Sequence, residues 1–145
     1  MAQKENRTDE FISAMVNLSK SLKRESDLCC KLCGGVNEKE LLIVVFVGQH
    51  SEVKMSDLAN TLEAPLSTLT SIIDNMVAKK YLSRYHSEED RRVIKVQLAQ
   101  NGKSSYKAFL AHKEKVAANV LAQFSEKEQV LFLNHIHKLA ESLRS

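Results

Sequence analysis

Apolar residues recur along this chain with two periods. At Phe11, Met15, Leu18 and Leu22 the spacing is four, three and four, which lines one face of a helix. Helical spacing returns at Tyr106, Phe109, Leu110, Val116, Val120 and Phe124, and again at Val130, Leu133, Ile136, Leu139, Ala140 and Leu143. Between these blocks Ile94, Val96 and Leu98 alternate with Lys95 and Gln97, the period of a half-buried strand. Leu41, Leu42, Val44, Val45 and Phe46 make one helix apolar on most sides, so it is expected at the centre of the fold.

Punctuation divides the blocks. Residues 1–7 are polar and expected to fray, with Thr8 capping a first helix that runs to Cys33 and stops at Gly34-Gly35. Asn37 with Glu40 is a capping box for the second helix, which is expected to end at Gly48–Ser51. Val53–Met55 suggests a short strand. Ser56 is expected to cap a short helix holding Leu58, Ala59 and Leu62. Glu63–Leu66, with Pro65, is a turn, because proline blocks continuation of a helix. Ser67 is then expected to cap a further helix with Leu69, Ile72, Ile73, Met76 and Val77 toward the core. Two helices joined this tightly form a helix-turn-helix. Strands over Leu82–Tyr85 and Val93–Leu98 follow, joined by a charged loop from His86 to Arg92. Asn101-Gly102 leads into a helix to about Gln123, and Ser125 with Glu128 opens the last one.

The pattern predicts a mainly α fold with a small β-hairpin wing: a winged helix-turn-helix flanked by long N- and C-terminal helices. Its 145 residues are read as a single domain, 1–145. Within it, 37–100 forms the DNA-binding lobe, and 8–36 with 101–145 forms a helical dimerisation region. The amphipathic stripes of the flanking helices need a partner, and a second copy of the chain would bury them. Two-fold symmetry would also place two recognition helices about one turn of DNA apart.

Charge sharpens the picture. Between Lys79 and Lys95 lie six basic and three acidic residues, so this window alone carries the net charge of +3. A localised basic surface suits a polyanion. The helix before it presents Ser67, Thr68, Thr70, Ser71, Asp74 and Asn75 on faces away from the core. Either feature by itself could be a solvated loop or an ordinary polar face. Together, and consecutive in sequence, they fit a helix entering a major groove and a ribbon tip reaching the minor groove. The expected contacts with double-stranded DNA are Ser67, Thr68, Thr70, Ser71, Lys79, Lys80, Arg84, Asp90, Arg91 and Arg92. The N-terminus is polar, and the longest apolar run, Leu41–Val47, is too short to span a bilayer. A cytoplasmic protein with no membrane partner is expected.

Three cysteines, Cys29, Cys30 and Cys33, crowd the end of the first helix. Cys30 and Cys33 form CxxC, but no second CxxC or close histidine completes a zinc set. Cys29 and Cys33 share a face with Cβ atoms about 5–6 Å apart in an intact helix. A disulfide needs about 3.8 Å, so pairing would require local unwinding. Buried packing residues are the first reading, with a thiol-based redox or metal sensor as the alternative. Neither a cofactor nor a metal is implied otherwise. None of the five histidines stands in a pattern with serine, cysteine or carboxylate that implies catalysis, and no phosphate-binding glycine loop exists. An enzyme is not expected.

Ser67-Thr68-Leu69-Thr70, Ile72-Ile73-Asp74-Asn75-Met76, Asp90-Arg91-Arg92 and Val96-Gln97-Leu98-Ala99-Gln100-Asn101-Gly102 together resemble the MarR-type regulators, the winged helix-turn-helix family named for multiple antibiotic resistance. The resemblance extends to the single long helix before the core and the two after it. It implies a homodimer that binds pseudo-palindromic DNA, usually as a repressor, and is released by a small aromatic effector or an oxidative signal. It also implies that Arg92 enters the minor groove while Asp90 orients its guanidinium. Ser71 and Asn75 stand where the family often has arginine, and Lys80 and Ala99 where it usually has glycine and threonine. A helical interaction module that binds no DNA is the remaining alternative class.

Overall fold

The computed structural model describes residues 2–144 of the chain. Met1 and Ser145, which end the expected first and last segments, lie outside the described residues. The described residues form α1 (Ala2–Leu32), α2 (Glu38–His50), β1 (Glu52–Lys54), α3 (Met55–Thr61), α4 (Leu66–Ala78), β2 (Leu82–His86), β3 (Ile94–Leu98), α5 (Gln100–Leu121) and α6 (Glu126–Ser142). The strands make one antiparallel sheet in the order β1-β3-β2. This is the winged helix-turn-helix read from the sequence, with β1 added to the hairpin.

The alternation in β3 sets the register. Val96 is fully buried and faces Val53 on one side and Arg84 on the other. Around it pack Ile43, Val44 and Val47 from α2, Met55 and Leu58 from α3, Leu69, Ile73 and Met76 from α4, and Leu82 from β2. Each side chain of this kind contributes about 1.5–3 kcal/mol when fully buried. The chain thus closes a core with α2 at its centre, as its apolar run predicted. A smaller cluster of Cys29, Cys30, Cys33, Val36 and Leu41 seats the end of α1 on α2.

Several helix boundaries differ from the sequence reading. α1 is helical from Ala2, so residues 2–7 do not fray in this structure, and Thr8 lies inside the helix with its hydroxyl donating to the Lys4 carbonyl at 3.1 Å. Ser56 and Ser67 are not caps: the N-cap positions are Lys54 and Pro65, and neither uses its side chain. Pro65 needs no donor there, and its carbonyl accepts from the Leu69 N–H at 3.0 Å. β1 covers Glu52–Lys54, and Met55 already belongs to α3.

Two glycines read as breakers lie inside helices. Gly48 is in α2, because a Cβ there would come within 2.7 Å of the Tyr106 ring. Asn101 and Gly102 are in the first turn of α5, where a Gly102 Cβ would sit 2.0 Å from the Tyr81 carbonyl oxygen. Close approach, not turning, requires both. By contrast, the Asn37–Glu40 capping box forms as expected, with bonds of 2.9 and 3.0 Å.

The chain divides into two compact units, one reaching to Phe109 and one starting at Leu110. In the second, Ser125 and Glu128 complete the predicted capping box of α6. The Gln129 amide donates to the carbonyls of Leu121 and Phe124 at 2.9 and 3.1 Å, and Phe124 stacks on Phe132 with centroids 4.7 Å apart. These contacts fix the turn from α5 to α6. Val130, Leu131, Leu133 and Ile136 of α6 and Leu143 at its C-cap are exposed, as are Phe11, Ile12, Val16, Leu18 and Leu22 of α1. No helix among the described residues is long and apolar enough to cross a membrane.

Candidate nucleic-acid interface

α4 turns Leu69, Ile73 and Met76 into the core, which leaves Ser67, Thr68, Ser71, Asp74 and Asn75 exposed. No side chain caps its N-terminus, so its first backbone N–H groups remain open to an anion. Thr70 is half-buried at the side of α4. With Leu66, Lys54, Arg84, Arg92 and Ile94 it lines a cleft of about 370 Å³ between the helix and the wing. Four of the expected contact residues therefore lie on or beside one helical face, with two arginines of the wing across the cleft.

The C-terminus of α4 presents the two lysines. Lys79 is the C-cap. Lys80 follows with a left-handed backbone, φ +63°. Its N–H bonds to the Val77 carbonyl at 3.0 Å, and the Tyr81 N–H bonds to Met76 at 2.9 Å, the two bonds of a Schellman ending. Glycine is the usual residue at this position, and lysine occupies it at a backbone cost of about 1–2 kcal/mol. The ending is held from outside as well. Asn101 donates to the carbonyls of Lys79 and Lys80 from its side chain and backbone, at 2.9 and 3.0 Å.

Arg84, on β2, pairs with Asp74 of α4 through a short ion pair. This contact joins wing and helix, and it neutralises the acidic group on the exposed face of α4. Sequence reading did not find it, since the two residues are ten apart on different elements.

The wing tip is built by local bonds. The Ser87 N–H reaches the Val93 carbonyl and the Val93 N–H reaches Asp90, each at 2.9 Å. His86 Nδ1–H donates to the Arg91 carbonyl at 2.8 Å. The Asp90 carboxylate takes three bonds from Arg92: backbone N–H at 3.0 Å, Nε at 3.2 Å and Nη2 at 3.4 Å. The Arg92 side chain, and after it the backbone N–H, holds the Asp90 carboxyl below the usual carboxylate range. The Arg92 side chain remains 91% exposed, so it is oriented without being covered. Arg91 is also exposed.

A second group, absent from the sequence reading, ties the three strands together. Glu52 of β1 accepts from the Tyr85 hydroxyl of β2 in a short bond and from Lys95 Nζ of β3 at 2.9 Å. The Tyr85 bond, then that of Lys95, lowers the Glu52 carboxyl, and Glu52 in turn raises both Tyr85 and Lys95. Glu52 is 33 and 43 residues from these partners, so only the sheet order reveals the group.

Cys29 and Cys33 are each 1% exposed, and their sulfurs lie 4.0 Å apart as thiols. Burial, followed by the neighbouring Cys29, pushes the Cys30 thiol up. A raised thiol is mostly protonated at neutral pH and is a poor nucleophile.

A short polar helix beside a three-stranded sheet with an arginine-bearing tip defines a winged helix-turn-helix protein. The MarR family profile matches residues 36–94, which run from the start of α2 to the wing. The transcriptional repressor MdtR of Bacillus subtilis is 28% identical over 108 residues, 74% of this chain and 70% of MdtR. Among solved structures, YusO of Bacillus subtilis superposes with a TM-score of 0.77 at 23% identity, covering 94% of this chain and 96% of YusO. Streptococcus pneumoniae FabT, solved in complex with DNA, also gives 0.77 at 23% identity, with 96% of each chain covered. The winged region of the chain is thus similar to the MarR family of regulators, and its fold to that of these solved structures.

Proposed function

We propose that this protein is a homodimeric, DNA-binding transcriptional regulator, a repressor that acts in the cytoplasm and catalyses no reaction. The observation that carries the reading is the pairing of a polar, uncapped α4 with a wing tip whose Arg92 is oriented by Asp90 and left exposed. α4 enters a major groove, and Arg92 enters the adjacent minor groove. Lys79, Lys80, Arg84 and Arg91 supply phosphate contacts. Residues 37–100 form the reading lobe, while 8–36 and 101–145 dimerise. The exposed apolar residues of α1 and α6 support that division, since a second copy would cover them. MdtR is named a repressor and FabT was solved on DNA, which support the same assignment. Release by a small aromatic effector accords with the family likeness. The buried cysteines serve as packing residues, an assignment their burial supports.

The test is binding to a pool of duplexes by fluorescence anisotropy, at several salt concentrations. Affinity should fall steeply with salt, and Arg92→Ala should cost about 1–3 kcal/mol in a protein of unchanged fold. Equal affinity for wild type and a folded Arg92→Ala dimer would remove the wing from the interface. Absence of salt-sensitive binding to any duplex would sink the regulator reading.

A further inference from the structure

The exposed face of α4 carries no cation. Its outward residues are Leu66, Ser67, Thr68, Ser71, Asp74 and Asn75, and the first basic residue, Lys79, lies past the helix end. This matters because the major-groove edge of guanine shows two acceptors, N7 and O6. The commonest specific reader of them is a side chain with two donors, arginine or lysine.

Two of the four hydroxyls are further restricted by bonds within the helix. Thr70 Oγ1 donates to the Leu66 carbonyl at 2.7 Å, and Ser71 Oγ donates to Ser67 at 3.3 Å. With each proton committed to the backbone, what remains is a pair of acceptor lone pairs and, for Thr70, a methyl group. Lone pairs can accept from adenine N6 or cytosine N4. The apolar groups decide between them. Leu66 is 57% exposed on the turn before Thr70, and Thr68 adds another methyl. Such groups pack on the C5 methyl of thymine, adenine's partner. Asn75 carries the amide that fits adenine N6 and N7. The group best suited to cytosine N4, the Asp74 carboxylate, is already engaged by Arg84.

We propose that α4 reads A·T pairs, through thymine methyls and adenine amines, and makes no bidentate contact with guanine. The proposal rests on the DNA-binding reading above. It assigns specificity to Leu66, Thr68, Thr70, Ser71 and Asn75, and leaves Arg84 to hold Asp74 away from the bases.

The experiment uses the full-length protein. Bound duplexes are selected from a random pool, and positions under α4 are identified as those whose preference is lost in Thr68→Ala, Ser71→Ala or Asn75→Ala. Each thymine there is then replaced by deoxyuridine, which removes only the methyl, and each guanine by 7-deazaguanine, which removes N7. Deoxyuridine should weaken binding about fourfold at each contacted position, the value of one buried methyl group. Thr70→Ser, which keeps the hydroxyl, should abolish that loss at one position. Substitution of 7-deazaguanine should leave affinity unchanged. A tenfold loss with 7-deazaguanine under α4, or a cytosine preference that Asp74→Asn erases, overturns the inference and leaves the regulator standing. Salt-sensitive binding with no sequence preference does the same. Failure to bind any duplex overturns both.

Discussion

The winged region and α6 follow the same helical and strand periodicities but use them differently. In the first, Ile43, Leu69, Ile73, Met76 and Val96 are fully buried within one copy of the chain. In the second, the stripe of Val130, Leu133, Ile136 and Leu143 is formed and left exposed. Amphipathic spacing therefore specifies which face is apolar, not what covers it. Where sheet and helices lie close in sequence, the chain supplies its own cover. On α6 the stripe is left uncovered within one copy of the chain.

Truncation separates the two cases most sharply. Ile73→Ala should destabilise the fold by about 2–5 kcal/mol at every protein concentration. Ile136→Ala should act through self-association, so its deficit in urea unfolding should vary with protein concentration. Sedimentation should show a weakened dimer for the second variant only. A concentration-independent loss for Ile136→Ala would mean that α6 is covered within the monomer. Gly102→Ala tests how tightly the winged region is closed. The new Cβ meets backbone, which cannot move aside as a side chain can, and the cost should be about 3 kcal/mol or more. A thermal midpoint equal to wild type would show that the start of α5 can shift.

Lys80→Gly should have a smaller effect, and of opposite sign for stability and binding. Relief of the left-handed backbone gains about 1–2 kcal/mol, and the added freedom of unfolded glycine takes back about 0.4–1. The variant should therefore melt slightly higher while binding all duplexes more weakly, with a flatter salt dependence. A variant that is less stable, or that binds as tightly as wild type, would remove the reason for a lysine there.

Asp90 gives the smallest effect. Its carboxyl is lowered in the folded protein, so its contribution is complete above the ordinary value of about 3.9 and is lost only as pH falls through the lowered one. Binding above pH 5 should not change through this group. In Arg92→Ala, the Asp90 carboxyl should titrate higher by NMR. An unmoved titration would mean that the Arg92 bonds do not persist in solution.

Local patterns were legible in the sequence. The Asn37–Glu40 and Ser125–Glu128 boxes, the alternation of β3, and the Asp90–Arg92 pair two residues apart all involve close neighbours, and each forms. Thr8, Ser56 and Ser67 misled because a hydroxyl inside a helix can bond back to the preceding turn as readily as cap a new one; Thr8 does so. Gly48 and Gly102 misled for another reason: the ring and the carbonyl that demand a missing Cβ come from residues far along the chain. The Asp74–Arg84 pair and the Glu52 group were equally out of reach, since they depend on which elements become neighbours.

The joint between α4 and α5 has a mechanical consequence. The Ala99 N–H bonds to Tyr81, Asn101 bonds to both Lys79 and Lys80, and Gly102 rests against the Tyr81 carbonyl. Three hydrogen bonds and one backbone contact, all within a few residues, leave no hinge there. The start of α5 and the end of α4 must turn as one piece, like two arms of a bell crank. A small rotation at the start of α5 would turn α4, with its exposed Ser67, Thr68 and Ser71, by a matching angle. A groove only about 12 Å wide would convert that angle directly into binding or release.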